Sequence, residues 1–164
     1  MDEPKIELSI VMPCLNEDQT VGTCINECLH VIEQHKISAE IIVVDNGSKD
    51  ASKTVIKESE AKLVEEPKKG YGAALLAGFE KSQGKYIIMM DSDGTYDPNQ
   101  IPTILKLLRE GNEFVNGSRL SGNMEKGAMP FLHKWFGVPL LGWMVRIISK
   151  STLTDSHCGI RGFH

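Results

Sequence analysis

Several kinds of protein are excluded by what this sequence lacks. Basic residues are not in excess: 18 Lys and Arg stand against 22 Asp and Glu, a formal charge of -4, which argues against nucleic acid as a partner. A net-acidic chain that handles anionic phosphate must do so locally, through a cation, helix N-termini or a few placed Arg and Lys. Cysteines number only four, and Cys14, Cys24, Cys28 and Cys158 have neither zinc-ligand spacing nor the density of a disulfide scaffold. Cys24 and Cys28 recur at i, i+4 among apolar residues, which predicts reduced, mostly buried thiols. The stretch Met1-Asp2-Glu3-Pro4-Lys5 lacks the basic region and apolar core of an export signal, so a cytoplasmic chain is expected. No uncharged apolar run reaches the ~20 residues of a membrane span. The most apolar stretch, 128–148, is broken by Pro130, His133, Lys134, Gly137, Pro139 and Arg146. It reads either as an amphipathic segment at a groove or membrane surface or as a helix packed on its own domain. Repeats and low-complexity linkers are also missing.

What is present is an ordinary globular composition, 41% hydrophobic and 24% charged over 164 residues, enough for one domain with a real core. Leu8 to Met12 is a short apolar run closed by Pro13, and Glu40 to Val44 is another closed by Asp45; both suit buried parallel strands. Between them Val21, Cys24, Ile25, Cys28, Leu29 and Ile32 trace one helical stripe. The alternation continues with a helix after Asp50, a strand at Lys62 to Glu65, a helix from about Ala73 to Ser82 and an apolar strand Tyr86 to Met90. A helix carrying Ile101, Ile104, Leu105 and Leu108 and a strand at Glu113 to Asn116 follow. This order predicts a Rossmann-like α/β/α sandwich with a mostly parallel central sheet.

Ligands of such sheets bind at the carboxyl ends of the strands. Those positions are acidic here: Pro13-Cys14-Leu15-Asn16-Glu17, Asp45-Asn46-Gly47-Ser48-Lys49-Asp50 and Asp91-Ser92-Asp93. Carboxylates held together repel unless a divalent cation neutralises them, and magnesium or manganese takes oxygens from them and from a diphosphate. By itself Asp-x-Asp fits a capped strand end and a turn at Gly94 better; the convergence of three acidic loops turns the reading toward a metal. Lys69-Gly70-Tyr71-Gly72-Ala73-Ala74 precedes a helical pattern, and a Gly-rich entry of this kind lets phosphate approach a helix N-terminus. Its spacing is neither that of a Walker A loop nor Gly-x-Gly-x-x-Gly, and a tight turn with close helix packing accounts for it as well.

Taken together and in order, six motifs carry a resemblance. They are Pro13-x-x-Asn16-Glu17, Val44-Asp45-x-Gly47-Ser48-x-Asp50, Lys69-Gly70-x-Gly72-x-Ala74, Asp91-x-Asp93, Gly117-Ser118-Arg119 and Asp155-x-x-Cys158-Gly159-x-Arg161. From Leu8 to Phe163 the chain resembles the family-two glycosyltransferases of GT-A fold, and within them the dolichyl- and undecaprenyl-phosphate enzymes. The resemblance implies one nucleotide-sugar-binding domain over 1–164, with 128–164 on the acceptor side. It implies inverting, metal-dependent transfer of a hexose from a UDP- or GDP-sugar to a polyprenyl phosphate at the cytoplasmic face of a membrane. Relatives continue past the position of His164 into an amphipathic helix and often transmembrane helices, so membrane attachment is expected through such a further part. A homo-oligomer is compatible with all of this.

The resemblance also implies roles. Pro13, Asn16 and Glu17 would shape the nucleotide pocket, and Asp45, in the loop with Gly47, would accept a hydrogen bond from a base N–H. Gly70 and Gly72 would lie near the nucleotide. Asp91, Ser92 and Asp93 would face the donor diphosphate, with Asp91 and Asp93 as metal ligands and Asp93 foremost. Arg119 would hold the acceptor phosphate with its guanidinium fork, aided by His133 or Lys134, for which a solvated helix face is an equal account. Asp155 would position acceptor or donor, and Arg161 would lie near phosphate; read alone, the two make only an ion pair at a turn. A phosphate acceptor is already an anion and needs no strong base. A hydroxyl acceptor would need one, for which Asp155 is the candidate, and a silent nucleotide-sugar-binding module would have no use for both Asp91 and Asp93. Two departures stand out: Asn46 replaces an Asp found in many relatives, and Thr95 replaces a Gln common in the mannosyl enzymes.

Overall fold

The computed structural model describes residues 6–117 and 158–164. The chain divides into two compact units, Met1–Val115 with Ile160–His164, and Asn116–Gly159. The sheet core and the strand-end loops considered below belong to the first.

The order of elements is β1 (Leu8–Cys14), α1 (Val21–Gln34), β2 (Ala39–Asp45), α2 (Ser52–Lys57), β3 (Lys62–Glu65), α3 (Tyr71–Lys81) and β4 (Tyr86–Met89), then a 3-10 turn at Pro98–Gln100, α4 (Ile101–Arg109), β5 (Phe114–Asn116) and β6 (Arg161–Phe163). The strands form one sheet in the order β3-β2-β1-β4-β6-β5. β1 runs parallel to β2 and β4, and β2 parallel to β3, whereas β6 runs antiparallel to β4. The expected mostly parallel α/β architecture is therefore present, with an antiparallel strand that the sequence did not announce. Three residues with Gly162 in the middle show no readable alternation. Their consequence is local: β6 sets Arg161 opposite Met89, two residues before Asp91.

Successive strand residues point to opposite faces, and the packing follows that rule. Val11, Ile42, Val44 and Met89 meet Ala74 and Leu75 of α3 on one face. On the other, Gly162 lies against Ile104 and Leu108 of α4, and Cys28 of α1 lies 3.7 Å from Met90. Helices cover both faces, so β1 and β2 read as mainly apolar runs, and Leu8, Ile10, Val11, Met12 and Ile41 to Val44 are all buried.

Element ends shift by one or two residues from expectation, and the end of β1 and the buried seam of α1 differ for identifiable reasons. β1 passes through Pro13 to Cys14, with Pro13 opposite Val44 in the parallel register; proline lacks the ladder N–H, but its carbonyl still accepts a bond, from the Ser92 hydroxyl at 2.8 Å. In α1 the buried seam is Val21, Cys24, Ile25, Cys28 and Val31, while Leu29 and Ile32 are only half-buried. The seam advances three residues from Cys28 rather than four, which keeps its last contact on the sheet side. The cysteines are unbridged and buried as expected. Burial pushes the thiols of Cys14 and Cys24 up and that of Cys28 to about 12, so they remain protonated and unreactive.

The turn into β4 is closed by Gly84, whose N–H donates to Ser9 Oγ at 2.9 Å while that hydroxyl donates to Glu40 Oε1 at 2.7 Å. A Cβ on Gly84 would sit 2.5 Å from Ser9 N and 2.6 Å from Leu8 C, both backbone atoms of a buried strand. Gly84→Ala is expected to cost about 1–3 kcal/mol in urea unfolding. Gly72→Ala, where nothing lies within 4 Å of the added carbon, should leave stability unchanged or raise it.

Candidate functional site

The parallel order brings the carboxyl ends of β1, β2 and β4 to one edge, and the loops there are tied to each other through side chains. Asn16 N donates to Ser48 Oγ at 2.9 Å, Lys49 N to Asn16 Oδ1 at 2.8 Å, Glu17 N to Ser52 Oγ at 2.8 Å and Asp18 N to Asp50 Oδ2 at 3.1 Å. Asn16 takes a left-handed φ of 59°, which asparagine tolerates better than most residues. Asp50 also accepts from Ser52 Oγ at 2.5 Å, and this bond, with backbone N–H groups behind it, holds its carboxyl below the usual range. Asn16, Ser48 and Asp50 therefore join the β1–α1 loop to the β2–α2 loop. Their contribution to a pocket is to fix its shape.

Asp45, expected to meet a base, is 1% exposed. Its carboxylate accepts from Gly47 N at 3.0 Å and Ser48 N at 3.2 Å and lies 3.4 Å from Lys53 Nζ. Lys53 in turn meets Glu65 at 2.7 Å. Gly47, at φ 91°, supplies the left-handed turn that brings these N–H groups round. The carboxylate is thus directed into its own loop.

Asn46, which the sequence presented only as a missing carboxylate, is the more connected residue. Its N–H donates to Cys14 O at 2.9 Å; its Nδ2 donates to Glu66 O at 2.9 Å and Lys68 O at 2.8 Å; its Oδ1 accepts from Gly70 N at 2.7 Å. One amide that both donates and accepts fastens the Gly-rich loop to the end of β2. Nothing local in sequence reveals this, because the partners are main-chain groups 20 to 24 positions away.

A cavity of about 280 Å³ opens where these loops meet, lined by Pro13, Glu17, Asn46, Tyr71 and the run Asp91-Ser92-Asp93 among others. Pro13, Glu17, Asp91, Ser92 and Asp93 are brought together as expected; Asn46 and Tyr71 join them unannounced. Ser92 is buried, and its bond to Pro13 O pins the acidic run to β1, leaving Asp91 half-buried and Asp93 exposed. Tyr71 donates its hydroxyl to Asp91 Oδ1 at 2.7 Å. Burial first, and the Asp91 bond second, push the phenol well above its ordinary value, while Arg161 exerts the opposite pull. Gly70, at φ 134°, requires glycine for its backbone alone. Gly72 does not, and the open space at both positions is what a ligand passing close to the backbone would use.

Asp91 and Asp93 are the two carboxylates of the acidic run that a cation would meet in this cavity. Asp93 Oδ1 accepts from Thr95 N at 2.9 Å, so each carboxylate has one oxygen engaged within the protein. Among the described residues no group of three acidic, His or Cys side chains gathers as a metal cage. Two hard oxygen donors with the remainder from phosphate and water is how magnesium is commonly held. The donor set fits a cation that arrives with a diphosphate. Arg119, Asp155, His133, Lys134 and the segment 128–148 lie outside the described residues, among which no helix is long and apolar enough to cross a membrane.

A parallel sheet with acidic and Gly-rich loops around one cavity at its carboxyl edge defines an α/β ligand-binding domain of the doubly covered kind. The chain belongs to glycosyl transferase family 2, whose sequence profile matches residues 9–162. It is 38% identical over 157 residues to a low-salt glycan biosynthesis hexosyltransferase of Haloferax volcanii, covering 95% of this chain and 38% of that protein. It is 26% identical to a dolichyl-phosphate hexose transferase of the same organism, covering 96% of this chain and 66% of the relative. A third relative, an undecaprenyl-phosphate 4-deoxy-4-formamido-L-arabinose transferase of Pseudomonas fluorescens, is 28% identical over 95% of this chain and 46% of its own length. The chain thus spans between 38% and 66% of these relatives. Among solved structures, mannosyl-3-phosphoglycerate synthase from Rubrobacter xylanophilus matches with a TM-score of 0.76 at 20% identity, over 96% of this chain and 53% of that one. Glucosyl-3-phosphoglycerate synthase from Mycobacterium tuberculosis, in complex with Mn2+, uridine diphosphate and phosphoglyceric acid, matches at 0.71 and 20% identity, over 96% and 55%. At such identity these likenesses establish the GT-A fold.

Proposed function

We propose that this chain is the donor-binding part of an inverting hexosyltransferase that moves a hexose from a UDP- or GDP-sugar to a polyprenyl phosphate at the cytoplasmic face of a membrane. The observation that carries the reading is the cavity that gathers Pro13, Glu17, Asn46 and the Asp91–Asp93 run at the strand ends. The names of relatives that act on dolichyl and undecaprenyl phosphate support the lipid acceptor.

In this reading Pro13 and Glu17 line the nucleotide pocket, Asn16 and Gly47 fix the loops around it, and Asp45 shapes it from behind with its charge balanced by Lys53. Gly70 and Gly72 admit the donor to the N-terminus of α3, where backbone N–H groups favour anions. Asp93, with Asp91, would hold a divalent cation, magnesium or manganese, which when bound neutralises the charge that builds on the departing diphosphate. Ser92 keeps both carboxylates at the strand end. Arg161, brought alongside by β6, adds positive charge on the phosphate side. Arg119 orients the acceptor phosphate for in-line attack on the anomeric carbon, Asp155 helps position it, and the anionic acceptor needs no strong base.

The test is hexose transfer from UDP-glucose and GDP-mannose to a polyprenyl phosphate by the full-length protein with manganese. In Arg119→Ala the acceptor KM should rise or turnover fall by about tenfold or more, with nucleotide affinity nearly unchanged, because the two guanidinium bonds serve the acceptor. No transfer from either donor would refute the reaction. Collapse of nucleotide affinity with acceptor dependence intact would place Arg119 on the donor.

A further inference from the structure

We infer that Tyr71 is a positioning residue for the donor cation: its hydroxyl donates to Asp91 Oδ1 and orients that carboxylate so that Oδ2 is its free donor for the metal. The inference deepens the reading above and rests on its assignment of Asp91 and Asp93 to a cation. It starts from a residue whose chemistry the fold does not need. Tyr71 is 52% exposed, so its ring contributes little to the core, yet its only polar side-chain atom is committed to Asp91 at 2.7 Å. For packing alone a phenylalanine would serve as well.

The placement is also well determined. Tyr71 stands between Gly70 and Gly72 as the first residue of α3. Gly70 is held through its N–H by Asn46 Oδ1 at 2.7 Å, and Gly70 O accepts the first helical bond, from Ala74 N at 3.1 Å. A continuous line of contacts therefore runs from the end of β2 through Asn46, Gly70 and Tyr71 to Asp91 beyond the end of β4. On the other side of Asp91, Ser92 is tied to Pro13 O at 2.8 Å. Asp91 is thus oriented from both sides before any ligand arrives.

The chemical consequence concerns how a cation is met. A carboxylate oxygen that accepts from a phenol keeps a second lone pair but is the poorer donor, so Asp91 meets a cation chiefly through Oδ2 while that bond stands. It offers one oriented donor, which leaves more of the cation's coordination to phosphate. Groups that orient a metal ligand in this way typically account for 10- to 100-fold in metal affinity when removed.

The experiment measures binding of UDP and of GDP to the full chain by calorimetry across a Mn2+ titration, for wild type, Tyr71→Phe and Asp93→Ala, with a thermal melt of each. Tyr71→Phe is expected to raise the Mn2+ concentration for half-maximal nucleotide binding about tenfold, to leave metal-free nucleotide affinity within about twofold, and to melt like the wild type. A merely structural role would weaken both affinities together. If Asp93→Ala removes the Mn2+ dependence while Tyr71→Phe shifts neither quantity, or shifts both equally, the inference about Tyr71 is overturned and the cation reading stands. If Asp93→Ala leaves the Mn2+ dependence as it is in the wild type, the cation reading falls and this inference falls with it.

Discussion

Replacing Asp93 by alanine is expected to abolish the effect of manganese on nucleoside diphosphate binding and to lower hexose transfer by at least about a hundredfold. The size follows from what the cation replaces. On the proposed reading a net-acidic protein accepts a diphosphate beside two carboxylates, and without a cation those charges would oppose each other at the point where leaving-group charge develops. The structural cost of the change is small. Asp93 is exposed, and its bond to Thr95 N at 2.9 Å closes only a local turn. Ser92, which anchors the run through Pro13, is untouched. Loss of function should therefore appear with an unfolding midpoint close to that of the wild type. Calorimetric titration of UDP and GDP with and without manganese provides the check. Equal affinity in both conditions for the wild-type protein would remove the basis for assigning Asp93 to a metal.

The parallel half of the sheet was legible because burial on both faces leaves a nearly continuous apolar signature. Leu8 to Met12 and Glu40 to Val44 mark β1 and β2 to within two residues at each end, and β3 runs over Lys62–Glu65 as expected. β6 was not legible, since Arg161-Gly162-Phe163 gains its strand character only from lying beside β4. The same division holds at the site. Asp91, Asp93, Pro13 and Glu17 could be gathered from sequence because they stand at strand ends within the ordered motifs that carry the family resemblance. Asn16, read as a pocket residue, also ties two loops together, its main-chain N–H donating to Ser48 Oγ and its Oδ1 accepting from Lys49 N. The fastening role of Asn46 and the presence of Tyr71 were not legible for a common reason: each acts through one hydrogen-bonding side chain whose partners lie about 20 positions away, and only the folded arrangement of loops pairs them. Sequence motifs show which groups can do chemistry. The groups that hold them in place look unremarkable until their neighbours are known.

Asn46→Asp is expected to be the most destabilising conservative change at this edge, and the direction of its pH dependence can be worked out. The Asn46 amide is 6% exposed and donates to Glu66 O at 2.9 Å and Lys68 O at 2.8 Å. A carboxylate is acceptor-only, so it keeps the bond from Gly70 N but turns a charged oxygen toward two carbonyl oxygens. Leaving a fully buried carbonyl unpaired costs about 1–3 kcal/mol; Glu66 is half-buried and Lys68 exposed, so water replaces part of what is lost and the two together amount to about 1–3 kcal/mol against a typical domain stability of about 5–15. If the 66–70 loop moves away to relieve this, Gly70 and Tyr71 move with it, so nucleotide affinity should fall alongside stability. Burial and the two carbonyls favour the protonated acid more than the single Gly70 N–H favours the charged form. The introduced group therefore has a folded pKa above its unfolded value of about 4. A group of this sign contributes most below its unfolded pKa and loses that contribution as pH rises through the folded value. The deficit of Asn46→Asp relative to wild type should accordingly be smallest in acid and grow toward neutral pH. Asn46→Ala, which removes all three bonds without adding a charge, should show a deficit nearly independent of pH. Urea unfolding of the three proteins across the range from about pH 4 to 8 separates these outcomes. If Asn46→Asp unfolds like the wild type at the upper end, Asn46 does not fasten the Gly-rich loop.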